Sequence, residues 1–208
     1  MTKSEVTGSL SCPEYDLSHM RIIAIRHGET SLNTEERITS WVDDDLTAKG
    51  REQALAMADG LHEEFELILS SPLLRAANTA RAIAAKHLCR IAFDANLRER
   101  NFGSLSGKTW AEIEAETGKD MRHLDVDQMA YDYRPYGGES VADVTARVKE
   151  FLRSAAETGG GRDVVAVTHG GIIKLFYCLP SLLVADGRKP ITNCSVHVFR
   201  YTQTPQGA

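Results

Sequence analysis

Three segments of the chain are almost entirely apolar, with little alternation between apolar and polar positions. They lie at residues 21–25, 66–70 and 163–168. Short continuous apolar runs are typical of strands that are buried on both faces, as in a parallel sheet. Two further segments, 90–94 and 194–201, also predict strands, and we expect the second of these at an edge of the sheet.

Helical patterns separate the predicted strands. Thr47 is a candidate N-cap for a helix with apolar residues at helical spacing, and Ser140 with Asp143 resembles a capping box. Ser71 and Pro72 predict the start of a helix after the second strand, since proline is favoured in the first turn. Strands that alternate with helices in this way predict a three-layer α/β/α fold with a mostly parallel central sheet.

The alternation of strands and helices is interrupted between about residues 101 and 138. We interpret this segment as an insertion above the sheet, of the kind that forms a lid over a site. Residues 1–19 carry no apolar period and predict a flexible N-terminal arm, and residues 203–208 predict a loose tail. The remaining residues, 20–202, predict a single domain.

The composition narrows the class of protein. The chain has 208 residues, of which 42% are hydrophobic and 25% charged, as in ordinary globular proteins. A net charge of −5 argues against a general nucleic-acid-binding surface. No apolar run approaches the length of a membrane span, and the N-terminal residues lack the apolar core of a secretory signal. The four cysteines are far apart, without metal-ligand spacing, which indicates reduced thiols in a cytoplasmic protein.

Charged residues follow the predicted parallel strands. Arg26 and His27 come directly after the first strand, His169 follows the third, and Arg75 lies in the first turn of the helix after the second. The carboxyl ends of parallel strands line the crevice in which such folds bind ligands. We therefore expect these four side chains at the same rim of the sheet.

An anion explains this set better than the ordinary alternatives, which are a satisfied histidine and a surface ion pair. Arg75 in the first turn of a helix is unfavourable unless an anion lies nearby, because the helix dipole is already positive there. The turn Gly170-Gly171 can offer N–H groups to the same anion. The aspartates at 43–45 lack a phosphate-binding glycine loop, so we interpret them as a solvated loop and expect no metal.

A phosphoryl group at this rim suggests a chemical reaction. Guanidinium groups clamp phosphoryl oxygens, and a histidine can attack phosphorus and hold it covalently. The leaving alcohol needs a proton, so a carboxylic acid is expected nearby. The candidates are Glu29, Glu99, Glu139 and the aspartates at 43–45, and Glu99 is placed to reach the rim from the start of the insertion.

In these residues the sequence resembles the histidine phosphatase superfamily, also called the phosphoglycerate mutase-like proteins, over about residues 21–201. Six short blocks stand in the order of the family. They are Arg26-His27-Gly28-Glu29-Thr30, Leu46-Thr47-x-x-Gly50-x-x-Gln53-Ala54, the block from Ser70-Ser71-Pro72 to Arg75, Leu97-Arg98-Glu99, Gly138-Glu139-Ser140 and Thr168-His169-Gly170-Gly171. The resemblance implies a phosphoglycerate mutase-like fold and a reaction that needs no metal or other cofactor.

The resemblance also implies the role of each catalytic residue. His27 would be the nucleophile that becomes phosphohistidine, and Glu99 would act as general acid and then as base for the attacking water. Arg26, Arg75 and His169 would hold the phosphoryl oxygens.

A second group of residues is expected to bind phosphate or substrate. Asn33 matches a secondary phosphate contact, and Thr39 and Ser40 fall in the loop of the family that meets the substrate. Related enzymes often have glycine in place of Ser40. Gly170 joins this group because of its N–H.

These expectations favour a phosphatase that hydrolyses small phosphorylated metabolites, with no nucleic-acid or membrane partner and no signal of an oligomeric state. The alternative is a cofactor-dependent phosphoglycerate mutase, which residues 99–105 and 39–41 resemble. However, Arg122 and Arg134 stand alone where such mutases carry paired arginines, and Trp110 replaces a substrate-binding lysine. A non-catalytic phosphate sensor and a metal hydrolase are weaker alternatives, since both His27 and Glu99 are present.

Overall fold

A six-stranded sheet lies at the centre of the chain. The computed structural model describes residues 20–159 and 162–202. Its strands are β1 (Arg21–Arg26), β2 (Leu67–Ser70), β3 (Arg90–Phe93), β4 (Val164–Thr168), β5 (Leu183–Ala185) and β6 (Val196–Tyr201). In the order β3-β2-β4-β1-β6-β5, the first four strands are parallel and β6 is antiparallel to both of its neighbours.

Helices cover both faces of this sheet. They are α1 (Ser31–Thr34), α2 (Ala48–Gly60), α3 (Leu74–His87), α4 (Trp110–Thr117), α5 (Val141–Gly159) and α6 (Gly170–Tyr177). Ile23 and Ile25 of β1 pack with α2 and α3, whereas Ile22 and Ala24 pack with α5 and α6. Successive strand residues point to opposite faces, so a strand covered on both sides must be apolar throughout. The predicted three-layer α/β/α fold is confirmed.

Side chains cap two helices where the sequence predicts them. The Oγ1 atom of Thr47 accepts a hydrogen bond from the Gly50 amide at 3.0 Å, at the start of α2. Before α5, the amide of Ser140 donates to Asp143 at 2.9 Å and the amide of Asp143 donates to Ser140 Oγ at 3.3 Å. These reciprocal bonds form the predicted capping box.

The start of α3 differs from its prediction. The helix begins at Leu74, two residues after Pro72, and its N-cap residue, Leu73, makes no side-chain capping bond. The hydroxyl of Ser71 lies instead 2.8 Å from His169 Nε2. The predicted cap is therefore wrong, because the Ser71 hydroxyl contacts His169, at the end of another strand, instead of capping α3.

The edges of the sheet also differ from the prediction. β6 was expected at an edge, but it lies between β1 and β5. The edges are β3 and the three-residue β5, whose short pattern at Leu183–Ala185 gives too little periodicity to predict a strand.

The segment 101–138 has a structure of its own. It contains 3₁₀ turns at Gly103–Leu105 and Arg134–Tyr136, helix α4, and a π-helical turn at His123–Asp127. Its buried residues belong to the same apolar cluster as α5 and α6; they include Leu105, Ile113, Tyr131 and Tyr133. The predicted arm (1–19) and tail (203–208) lie outside the described residues. Within the described ranges, no helix has both the length and the apolarity that crossing a membrane requires.

Candidate active site

Two histidines meet at the carboxyl ends of β1 and β4. The ring centroids of His27 and His169 are 5.1 Å apart, and both side chains are buried. Parallel pairing of Arg26 with Thr168 places the two histidines side by side, one residue beyond each strand. The structure thus brings together the residues that the strand ends predict.

The orientation of His27 suits a nucleophile. Its Nδ1 lies 2.7 Å from the carbonyl oxygen of Gly28, which only accepts hydrogen bonds, so Nδ1 carries the proton and Nε2 keeps its lone pair. Burial, together with the charges of Arg75 and Arg26, holds the pKa of His27 well below its ordinary value. The ring is therefore neutral at pH 7.

Two arginines supply positive charge beside the histidines. Arg75 is fully buried; its Nη2 donates to Ser40 O at 2.7 Å and its Nη1 to Val42 O at 3.0 Å. Burial lowers the pKa of Arg75 to about 10, which leaves the group charged at neutral pH. Arg26 Nη1 donates to Ile191 O at 2.9 Å. Within the described part of the chain, the buried Nε atoms of both arginines have no partner, and an anion would satisfy them.

His169 is oriented by a hydroxyl. Its Nε2 faces the Oγ of Ser71, which also accepts a hydrogen bond from the Leu73 amide at 3.3 Å. Burial and the charge of Arg75 lower the pKa of His169 well below its ordinary value. Sequence reasoning missed the orienting role of Ser71, although its position after β2 at the same rim was a usable signal.

Glu99 is the carboxylate that the structure places beside this group. Its Oε1 accepts the Arg100 amide at 2.9 Å and its Oε2 accepts the Gly171 amide, in the first turn of α6, at 3.0 Å. Burial raises the pKa of Glu99, but the Arg100 guanidinium, these two amides and Arg75 lower it to a net value below the ordinary one. A Cβ atom at Gly171 would lie 2.3 Å from Glu99 Oε1, so any larger residue there would displace the carboxylate.

The backbone of Glu99 is held from two further directions. From α5, Arg147 donates to the carbonyl oxygens of Asn96, Arg98 and Glu99 at 2.6, 2.8 and 3.0 Å. The indole Nε1 of Trp41 donates to the same Glu99 carbonyl at 2.6 Å. The sequence analysis missed both Trp41 and Arg147, because neither lies at a regular sequence spacing from Glu99 that would indicate a contact.

Four of the other candidate acids, Glu29, Glu139, Asp44 and Asp45, have structural partners. Glu29 accepts from Lys49 at 2.6 Å, and Glu139 accepts from Arg147 at 2.8 Å. Asp44 accepts the Leu32 amide at 3.0 Å, and Asp45 accepts from Asn78 and Arg51. Among residues 20–159 and 162–202, no group of three or more His, Cys, Asp or Glu residues is arranged to hold a metal ion.

The residues expected to bind substrate lie around the same rim. Ser40 has a φ of 45°, a left-handed conformation that favours glycine, and its Oγ accepts the Phe102 amide at 2.9 Å. Thr39 is buried beside it. Asn33 uses its Oδ1 to accept from Asn193 at 3.1 Å. Gly170 begins α6, where a Cβ would lie 3.6 Å from Arg26 Nε.

Of the two glycine amides that the sequence offered to an anion, one has a different partner. The Gly171 amide donates to Glu99, so only the Gly170 amide remains for a ligand. A neutral, buried histidine lies beside two guanidinium groups whose buried Nε atoms have no partner among the described residues, with a carboxylate across the rim. This arrangement suits phosphoryl transfer through histidine.

Comparisons with known proteins agree with this class. Residues 22–206 match the model of the histidine phosphatase superfamily, branch 1, and the chain belongs to this superfamily. Phosphoglycerate mutase-like protein 4 of Arabidopsis thaliana is 36% identical, covering 89% of this chain and 81% of that protein. The metal-independent phosphoserine phosphatase of the same plant is 33% identical, covering 85% of this chain and 74% of that protein.

A solved structure agrees with both fold and class. The mycobacterial glucosyl-3-phosphoglycerate phosphatase superposes with a TM-score of 0.71 at 30% identity, covering 86% of this chain and 88% of that one. The fold is phosphoglycerate mutase-like, and the chain is a phosphoric monoester hydrolase of the histidine phosphatase class, as the sequence predicts.

Proposed function

We propose that this chain hydrolyses small phosphomonoesters through a covalent phosphohistidine on His27. The observation that carries the proposal is the neutral imidazole of His27, with its Nε2 lone pair free, beside the unsatisfied Nε donors of Arg26 and Arg75. These donors and His169 would hold the phosphoryl oxygens, with the Gly170 amide and Asn33 as further contacts.

The reaction then runs in two displacements. In the first, His27 Nε2 forms a bond to phosphorus, the bond from phosphorus to the ester oxygen breaks, and Glu99 gives its proton to the departing oxygen. In the second, the Glu99 carboxylate takes a proton from water, whose oxygen attacks phosphorus and releases phosphate from His27. The negative charge of a bound phosphoryl group raises the pKa of a neighbouring carboxyl, which prepares Glu99 for the first step.

Relatives support a small metabolite as substrate. Their names describe phosphatases of phosphoserine and of glucosyl-3-phosphoglycerate, which are both small phosphorylated molecules. The single domain at 20–202, the cytoplasmic location and the absence of a nucleic-acid partner stay predictions from the sequence.

The mutase alternative has less support. A mutase would need cations in the insertion to bind a substrate carboxylate, but Arg134 pairs with Asp132 at 2.7 Å. Trp110, at the position of the mutase lysine, packs edge-on against Phe102 with ring centroids 6.0 Å apart. These contacts favour hydrolysis over transfer between two hydroxyls of a phosphoglycerate.

The test is phosphate release from a panel of phosphomonoesters in excess chelator. We expect the intact protein to release phosphate, His27→Ala to release none, and His62→Ala, an exposed histidine on the loop before β2, to match the intact protein. Release that persists in His27→Ala would overturn the phosphohistidine proposal. If the intact protein releases phosphate from no member but interconverts phosphoglycerates when primed with a bisphosphorylated compound, the mutase alternative replaces it.

A further inference from the structure

Arg100, the residue after the catalytic acid, is buried and connects Glu99 to the insertion. Its Nε lies 3.5 Å from Glu99 Oε1, and its Nη1 pairs with Asp125. The Asp125 side chain is fully buried and accepts a second hydrogen bond from the hydroxyl of Tyr133. One guanidinium therefore lies between two carboxylates, of which one belongs to the active site.

Aromatic rings fix the plane of this guanidinium. The Cζ atom of Arg100 lies 5.3 Å from the ring centroid of Phe102 and 5.1 Å from that of Tyr131. The Tyr133 ring stacks on both rings, at 4.2 Å from Phe102 and 5.2 Å from Tyr131. Arginine stacks well on aromatic faces, so the rings hold the guanidinium between the two carboxylates. Its Nη1 pairs with Asp125, whereas its Nε lies near Glu99 without a hydrogen bond to any described residue.

Asp125 comes from an irregular part of the insertion. It lies in the π-helical turn His123–Asp127, and its backbone carbonyl is 3.5 Å from Lys174 Nζ of α6. Turns of this type are uncommon and are frequent at functional sites. Burying an ion pair costs desolvation that hydrophobic residues would avoid, so its presence beside the acid calls for a role other than stability.

We propose that Arg100 is a positioning residue for Glu99, and that Asp125 of the insertion shares the charge of Arg100 so that the acid carries its proton when the ester bond breaks. This inference rests on the proposed role of Glu99 in leaving-group protonation. Without Asp125, the whole charge of Arg100 would act on Glu99 and favour the carboxylate, which cannot donate a proton.

The other charged and titratable groups around Glu99 stay unchanged in this comparison. They are Arg26 and His27 at the end of β1, Arg75 from α3, Arg147 from α5, His169 before α6 and Tyr131 from the insertion. A change confined to Arg100 or Asp125 therefore alters one contribution to the proton affinity of Glu99.

The experiment measures kcat/KM against pH with an alkyl phosphate, which needs a general acid, and with nitrophenyl phosphate, whose phenolate leaves without one. For Asp125→Asn, we expect the alkaline limb of the alkyl-phosphate profile to shift to lower pH by about one unit. For Arg100→Gln, the alkaline limb shifts to higher pH, because Glu99 loses its nearest cation. Nitrophenyl phosphate turnover falls less than alkyl phosphate turnover in both variants.

Two further variants distinguish a change in the proton affinity of Glu99 from a general loss of stability. Arg100→Gln combined with Asp125→Asn removes both members of the buried pair, so Asp125 is not left without its cation. The limb of this double variant should also shift to higher pH, even if Arg100→Gln alone is unstable. Asp163→Asn removes a carboxylate paired with Arg21 at the far end of the sheet and leaves the profile in place. Limbs that stay fixed while both substrates lose turnover equally would overturn the proposal and leave Arg100 a structural role. Failure of the proposed function is distinct, because it would appear as phosphate release by His27→Ala.

Discussion

The two halves of the active site are built in different ways. The phosphate half consists of Arg26 at the end of β1, of His27 and His169 one residue beyond β1 and β4, and of Arg75 in the first turn of α3, so each lies in a regular element or directly next to one. The acid half is Glu99, in a loop that donors from Trp41, α5 and α6 hold in place. In the proposed mechanism, the first half contacts the phosphoryl group that every substrate shares, whereas the second contacts the leaving group that differs. Substitutions in the first half should therefore affect all substrates equally, whereas substitutions in the second half should affect substrates according to their leaving group.

Among substitutions in the phosphate half that leave His27 intact, Arg75→Met should cause the largest loss of activity. It removes a buried cation and leaves the carbonyls of Ser40 and Val42 without their donor. We expect kcat/KM to fall by about a thousandfold, and by the same factor for alkyl and nitrophenyl phosphates. Lys86→Met, on the exposed side of the same helix, is the control. A loss that depends on the leaving group would contradict the division into halves.

Glu99→Gln should affect the substrates unequally. The amide cannot donate a carboxyl proton to the leaving oxygen, so turnover of alkyl phosphates should fall by about a hundredfold or more. Nitrophenyl phosphate should lose much less in the first step. The ratio is measured as kcat/KM on both substrates, which reports the first displacement, and equal losses in kcat/KM would remove Glu99 from the role of general acid.

Gly171→Ala should disturb the acid half without removing a functional group. The added Cβ would lie 2.2 Å from Arg100 Nε and 2.3 Å from Glu99 Oε1, so the carboxyl must move. We expect a loss of about tenfold on alkyl phosphates, because general-acid catalysis requires a hydrogen-bonding distance. Gly60→Ala, whose Cβ meets nothing within 4 Å, is the matched control. Unchanged turnover in Gly171→Ala would show that the carboxyl tolerates displacement.

The two halves should also titrate separately. Since burial and the two arginines lower the pKa of His27, its neutral form persists well below the ordinary histidine range, and activity is lost only when pH falls further. Arg26→Gln removes one of these cations and should move the acid limb of kcat/KM to higher pH, by about one unit or less. If the acid limb does not shift in Arg26→Gln, this limb reports the titration of a group other than His27.

The sequence predicted the phosphate half better than the acid half, for a physical reason. Buried parallel strands are continuous apolar runs, so their ends mark the rim, and His27 and His169 could be placed there by pattern alone. The orientation of Glu99 depends on Trp41 and Arg147, which contact its backbone carbonyl from distant positions. Contacts of this kind leave no periodicity in the sequence.

The same distinction explains the errors in the fold. Ser71 has the local pattern of a helix cap, but its hydroxyl faces His169, a partner that local propensity cannot reveal. The last strand, β6, was placed at an edge because the three residues of β5 carry no alternation of their own. Local signals were reliable wherever the partner lies within the same element, as in the capping box of Ser140 and Asp143.

The long-range anchoring of Glu99 has a consequence for the chain during its synthesis. The residues that hold this acid lie 48 positions later, at Arg147, and 72 positions later, at Gly171. Because synthesis proceeds from the N-terminus, a growing chain contains Glu99 long before it contains either partner. Truncated or unfinished chains that end before His169 therefore lack this histidine as well as the Gly171 amide that orients the acid. On the proposed mechanism, hydrolysis therefore begins only after residue 171 has been made and the acid has been oriented.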